Sequence, residues 1–130
     1  MIAALIGAAA GAGTMFALWR SGMLHERSGI AVLLAAIAFF YPVFAAQNGD
    51  AVGATVHFAI FAGFCAVAVA GFQRGAYIIA GGLIAHGVFD AGLIWLGAPG
   101  PQWWPAFCAG IDIVAGVILM RLIKTGNVPT

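Results

Sequence analysis

Four ionisable residues, His57, His86, Asp90 and Asp112, each lie inside a stretch apolar enough to cross a bilayer. A charged side chain at membrane depth costs about 2.5 kcal/mol or more. Such residues face a bundle interior or a water-filled cavity, and they mark function more often than structure. An imidazole beside a carboxylate is a general acid–base pair, and burial tunes such groups for proton transfer at neutral pH. The same two histidines and two aspartates are adequate ligands for zinc, iron or copper. Chains of Asp and His also relay protons through pumps and transporters.

The elements that must position these groups are helices in lipid. The chain has 130 residues, of which 64% are hydrophobic and 7% charged. Soluble domains carry about 25% charged residues, so the composition is that of an integral membrane protein. A spanning helix needs about 20 predominantly apolar residues. Five segments qualify: Ile2–Trp19, Ile30–Ala46, Ala51–Phe72, Ala76–Leu96 and Ala106–Ile123. The connectors between them are short and rich in Gly and Pro, as in Gly97–Pro105. The expectation is an all-α bundle of five transmembrane helices, a single domain over residues 1–130. Nineteen glycines suit close helix packing in lipid, and Gly7 and Gly11 form a G-x-x-x-G pair. With a net charge of +1 and no basic patch, nucleic acid is not an expected partner.

Five antiparallel crossings put Arg20, Arg27, Arg74, Arg121 and Lys124 on one side of the membrane. The other side holds Asp50 and no Lys or Arg. The positive-inside rule assigns the basic side to the cytoplasm, with the N-terminus outside and the C-terminus inside. The first segment lacks the positive charge that precedes a signal peptide's apolar region, so it reads as a retained helix.

Depth follows from a rise of about 1.5 Å per residue. His57 lies seven residues past Asp50, Asp90 seven before Gly97, and Asp112 seven past Pro105. All three are then about 10 Å below the outer surface. His86 is one turn from Asp90 on the same helix face. Tyr41, five residues before Ala46, reaches a similar depth. Three helices thus deliver ionisable groups to one layer, where a shared, outward-facing pocket is expected. Taken singly, each has a structural explanation: a histidine bonded to a carbonyl, or an Asp that orients an imidazole. Together they satisfy one another at the lowest cost, because a buried charge needs a partner. Pro42 should kink the second helix near this layer. Trp103 and Trp104, between Pro101 and Pro105, suit an interfacial anchor or a substrate-binding wall over the pocket. Cys65 and Cys108 differ in depth by about 18 Å, too far for a disulfide, and should stay free thiols.

The carrying residues for a resemblance are His86-Gly-Val-Phe-Asp90, Gly97-Ala-Pro and Pro105-Ala-Phe-Cys-Ala-Gly-Ile-Asp112. Over roughly the last 50 residues the chain resembles a family of small bacterial integral membrane proteins of unknown function. The resemblance implies a multi-pass protein of the bacterial inner membrane, and it supplies no reaction. Three functions stay open. One is acid–base binding or conversion of a lipophilic small molecule by His57, His86, Asp90 and Asp112, with Tyr41, Trp103 and Trp104 as substrate contacts. Another is a metal or haem site built from the same His57, His86, Asp90 and Asp112. The last is a proton-coupled transporter or accessory subunit, for which five helices would have to form a homo-oligomer. Whether the chain is an enzyme is left open.

The charge partition makes a direct prediction. With both native cysteines replaced by alanine, a membrane-impermeant thiol reagent applied to intact cells should label Gln102→Cys and spare Thr125→Cys. The reverse pattern would invert the topology.

Overall fold

The computed structural model describes residues 1–130 and contains helices and no strands. Helix α1 spans Ile2–Arg20, α2 Ser28–Ala38, α3 Phe40–Gln47, α4 Ala51–Arg74, α5 Ala76–Leu96 and α6 Trp104–Lys124. Five spans are long and apolar enough to cross a membrane, α2 and α3 together making one of them. The chain is therefore compatible with a multi-pass membrane protein.

The second span is broken where Pro42 requires it. Proline has no N–H to donate to the carbonyl four residues earlier, and its ring crowds that carbonyl. The carbonyl in question is that of Ala38, the last residue of α2, and the break falls at Phe39. Six boundaries differ from the sequence expectation, those at Arg20, Gln47 and Lys124 by one residue and those at Ser28, Arg74 and Trp104 by two. Helix α6 starts at Trp104 rather than Ala106, because Pro105 sits in its first turn, where a missing N–H costs nothing. Helix α4 runs on to Arg74, and Gly75 alone joins it to α5. At its other end, the Asp50 carboxylate caps α4 by accepting from the Gly53 N–H at 2.8 Å.

Helix α6 lies against both α1 and α5, and α4 packs on α2, α3 and α5. Lipid gives no hydrophobic drive to helix association, so close packing of small residues supplies it. At the α1–α6 seam, a Cβ on Gly7 would overlap the Phe107 carbonyl oxygen. One on Gly11 would lie 2.6 Å from the Ile111 carbonyl oxygen. Gly110 faces the Ala4 carbonyl in the same way from the other side. The G-x-x-x-G pair of α1 is thus a docking surface for the backbone of α6.

The interior has two zones. One is an apolar core in which Met15, Leu34, Ile79, Leu83, Ala115 and Leu119 meet. Leu24 from the α1–α2 turn and Val128 from the C-terminal tail close it from below. The five basic residues gather around this end, where Arg27 donates to the Phe72 carbonyl at 3.2 Å. Further along α5 and α6, away from that end, the other zone holds the buried polar residues. Many large apolar side chains point outward instead, among them Leu5, Val52, Phe58, Ile94 and Trp95. That surface suits lipid.

The seam predicts a contrast between glycines of one helix. Gly7→Ala or Gly11→Ala should destabilise the detergent-solubilised protein by about 1–3 kcal/mol through overpacking against backbone. Gly13→Ala, with nothing within 4 Å of its added Cβ, should be neutral or stabilising. Equal thermal stability of all three variants would remove the seam from the account.

Candidate functional site

The polar zone is built on α5 and α6 and completed by α3. His86 and Asp90 share one face of α5, as their spacing of four requires. Asp112 meets them from α6. Glycine permits that approach. A Cβ on Gly87 would lie 2.7 Å from the Ile113 side chain and 3.2 Å from the Asp112 Cβ. Further down, one on Gly116 would lie 2.8 Å from the Ala80 carbonyl oxygen. Any larger residue at either position would force α6 away from α5 and carry Asp112 out of reach.

His86 Nδ1 lies 2.7 Å from Asp112 Oδ2 and 3.2 Å from Asp90 Oδ2. A nitrogen placed between two carboxylates carries the hydrogen, so Nδ1 donates, chiefly to Asp112. Tyr41, brought in by α3 just past the helix break, donates its hydroxyl to Asp90 Oδ1 at 2.7 Å. Tyr41, His86, Asp90 and Asp112 are each at most 1% exposed. Phe64 stands edge-on to the His86 ring at 4.6 Å, and Phe89 lies at 5.9 Å. Two carboxylate oxygens, Asp90 Oδ2 and Asp112 Oδ1, are buried without a hydrogen bond.

The structure brings together three of the four ionisable residues singled out in the sequence. His86, Asp90 and Asp112 converge, and Tyr41 joins them at full burial. His57 does not join. Its ring stacks on Tyr41, with centroids 5.4 Å apart, and meets Phe89 edge-on at 6.5 Å. Its buried Nδ1 has no hydrogen-bond partner. Equal depth put His57 in the right layer, but depth does not fix the direction a helix face points. The aromatic rings of Tyr41 and Phe89 lie against it instead of the carboxylates.

The expected outward-facing pocket is also absent as an open space. The principal clefts are lined by other residues, and the polar groups are packed against one another. Trp104 sits 4.7 Å from Phe40 and edge-on to Phe44 at 5.2 Å. Trp103 is exposed and packs on Trp104 and Phe107. This aromatic cluster ties the start of α6 to α3. Both cysteines are free thiols. Cys108 is buried one turn before Asp112 on the same helix face, a spacing of four that its apolar character hid in the sequence. Gly87 and Gly116 were likewise visible only as glycines, with no mark of which helix they admit.

His86 Nδ1 and one oxygen each of Asp90 and Asp112 lie within 4.8 Å of one another. First-row metals bind such atoms at about 2.0–2.2 Å, which holds tetrahedral ligand atoms roughly 3.3–3.6 Å apart. The 2.7 Å between Nδ1 and Asp112 Oδ2 is instead a charge-assisted hydrogen-bond distance. A metal would require Nδ1 to lose its hydrogen and the pair to open. For haem, Phe64 and Phe89 already cover the His86 ring.

No protein-family model matches the chain, and no curated protein or solved structure is significantly similar to it.

The network predicts an order of sensitivity. Tyr41→Phe leaves an Asp90 oxygen unpaired and should cost about 1.5–3 kcal/mol of stability. His57→Phe keeps the stack on Tyr41 and should cost less than about 1 kcal/mol. Combining Tyr41→Phe with Asp90→Asn should depart from additivity by at least about 0.5 kcal/mol. Reversible unfolding in mixed micelles reads all of these, and a plain sum in the double variant would dissolve the network.

Proposed function

We propose that this chain is a multi-pass protein of the bacterial inner membrane whose buried Tyr41–Asp90–His86–Asp112 network takes up and releases a proton. It would serve as a proton-coupled carrier or as an accessory subunit of a membrane complex. The observation that supports this most is a single imidazole Nδ1–H set between two carboxylates, with one oxygen on each left unpaired. With both carboxylates ionised and the imidazole protonated, the network carries one uncompensated negative charge. Burying such a charge in lipid is costly. One further proton on either carboxylate makes the unit neutral and turns an acceptor into a donor. Protonation is thus the variable that this arrangement is built to accommodate.

A proton also suits a closed site. A substrate needs a cleft, whereas a proton needs only a chain of hydrogen-bonding groups and small side-chain rotations. His86 donates to Asp112 and lies beside Asp90, and Asp90 accepts from Tyr41. His57, stacked on Tyr41, is the next titratable group outward. A second reading, conversion of a lipophilic small molecule, has one observation in its favour. A cleft of about 430 Å³ on the α3–α4 face is lined by Phe39, Pro42, Thr55 and Phe58. It lies beside Tyr41 and His57 in sequence. An apolar molecule there would meet His57 first and the network only through Tyr41.

The gathering of all five basic residues at one end supports a cytoplasmic location for that end. The N-terminus would then be outside, and the network in the outer half of the membrane. Five helices leave little room for a transport path within one copy, so a carrier role requires a homo-oligomer.

Infrared difference spectroscopy of the protein in lipid, taken between acidic and alkaline pH, tests the central claim. A protonated-carboxyl C=O band should appear at the lower pH, shift in deuterium oxide, and vanish in Asp90→Asn or Asp112→Asn. The absence of any titrating buried carboxyl would overturn the reading. Stoichiometric metal in the purified protein that is lost in Asp112→Asn would replace it with a metal centre.

A further inference from the structure

A cleft of about 310 Å³ runs between α2 and α4. Ser28, Ala31 and Ala35 line it from α2, and Cys65, Ala68 and Phe72 from α4. Ser28 to Ala35 and Cys65 to Phe72 are each seven residues, so the cleft runs for about 10 Å along the helix axes. Apart from Ser28 its lining is apolar. It opens on the outer face of the bundle, where Val32 and Val69 are exposed. Its shape and chemistry are those of a slot for part of an acyl chain.

One end of the slot carries charge. Arg27 directly precedes Ser28, and its guanidinium donates to the Phe72 carbonyl at 3.2 Å. Both neighbours line the cleft, so the guanidinium is held at its mouth. Arg74 lies two residues beyond Phe72. Neither arginine makes a salt bridge, since the ion pairs of the protein are those of His86. Arg27 has five N–H donors, and one contact uses one of them. Its backbone, with φ of +60°, adopts a left-handed conformation uncommon outside glycine. That conformation both starts α2 and turns the side chain toward α4. Five basic side chains gather at this end of the bundle and Glu26 is its one acidic side chain.

The geometry points to the α2–α4 cleft as a binding site for one anionic phospholipid, its acyl chain along the slot and its phosphate on Arg27 and Arg74. An apolar slot with Arg27 at its mouth and Arg74 two residues beyond it, neither in a salt bridge, matches an amphiphile with a negative head. A zwitterionic lipid offers the same chain, but its amine would face a net positive end. The arginines near the membrane surface should each favour the anionic lipid by roughly fivefold. The site is separate from the buried polar network and does not depend on the role assigned to it.

Native mass spectrometry of the intact protein, released from bilayers with equal phosphatidylglycerol and phosphatidylcholine, tests the site. The wild type should retain one phosphatidylglycerol in preference to phosphatidylcholine. Arg27→Gln should lower that preference roughly fivefold, and Arg27→Lys should largely keep it. Val32→Trp, which fills the slot from an exposed position, should reduce retention of both lipids. If that variant fails to fold, the two Arg27 variants decide alone. Equal retention of the two lipids by the wild type would overturn the proposal. So would an unchanged preference in Arg27→Gln, or a lipid-free dimer that covers the cleft.

Discussion

The hydrogen bond from His86 to Asp112 is the constraint around which the rest of the bundle is arranged. In lipid there is no water to take over a lost partner, so an unpaired charge is far more costly than at a protein surface. His86 and Asp112 must therefore meet, and their 2.7 Å separation limits how far α5 can stand from α6. Side chains of ordinary size between the helices would hold them too far apart. Gly87 and Gly116 remove that bulk where it would matter most. Polar chemistry and small-residue packing are thus one requirement seen from two sides. The glycines permit the bond, and the bond gives the close seam a reason to persist.

The same logic extends to α3. Asp90 has more acceptor capacity than His86 can use, and Tyr41 takes up one oxygen. To reach it, the second span has to bring an aromatic residue inward next to its own break. Pro42 loosens the helix at Phe39, and Tyr41 lies between the break and the proline, next to Pro42. The aromatic cluster of Phe40, Phe44 and Trp104 then fixes α3 against the start of α6. Three helices are locked at one level by one hydroxyl, one imidazole and two carboxylates.

Much of this was readable in the sequence because lipid simplifies the code. Apolar runs of membrane length marked the five spans, and Ala76–Leu96 matched to the residue. The proline predicted its kink. A constant rise per residue converted sequence position into depth, which put His86, Asp90, Asp112, Tyr41 and His57 in one layer. Rotation about the helix axis was not readable in that way. Every face of these helices is apolar, so no amphipathic stripe says which side looks inward. The spacing of four tied His86 to Asp90, but nothing comparable tied His57 to α6, and its neighbours proved to be rings. Gly7 and Gly11 announced a packing seam without naming its partner. The closed character of the site was equally hidden, since a pocket and a packed network draw on the same residues.

The ladder of helix contacts also sets an order of assembly. Helices enter a membrane from the N-terminal side and are individually stable there before they pack. Helix α1 docks on α6, so the earliest span waits for the latest. Asp112 likewise comes only with α6, after the α5 residues His86 and Asp90 in chain order. Those two sit one turn apart on α5, with Nδ1 and Asp90 Oδ2 3.2 Å apart. When α6 arrives, Nδ1 takes the shorter bond to Asp112 and keeps Asp90 at 3.2 Å. A pair made within one helix would give each group a neighbour before the last helix closes the bundle.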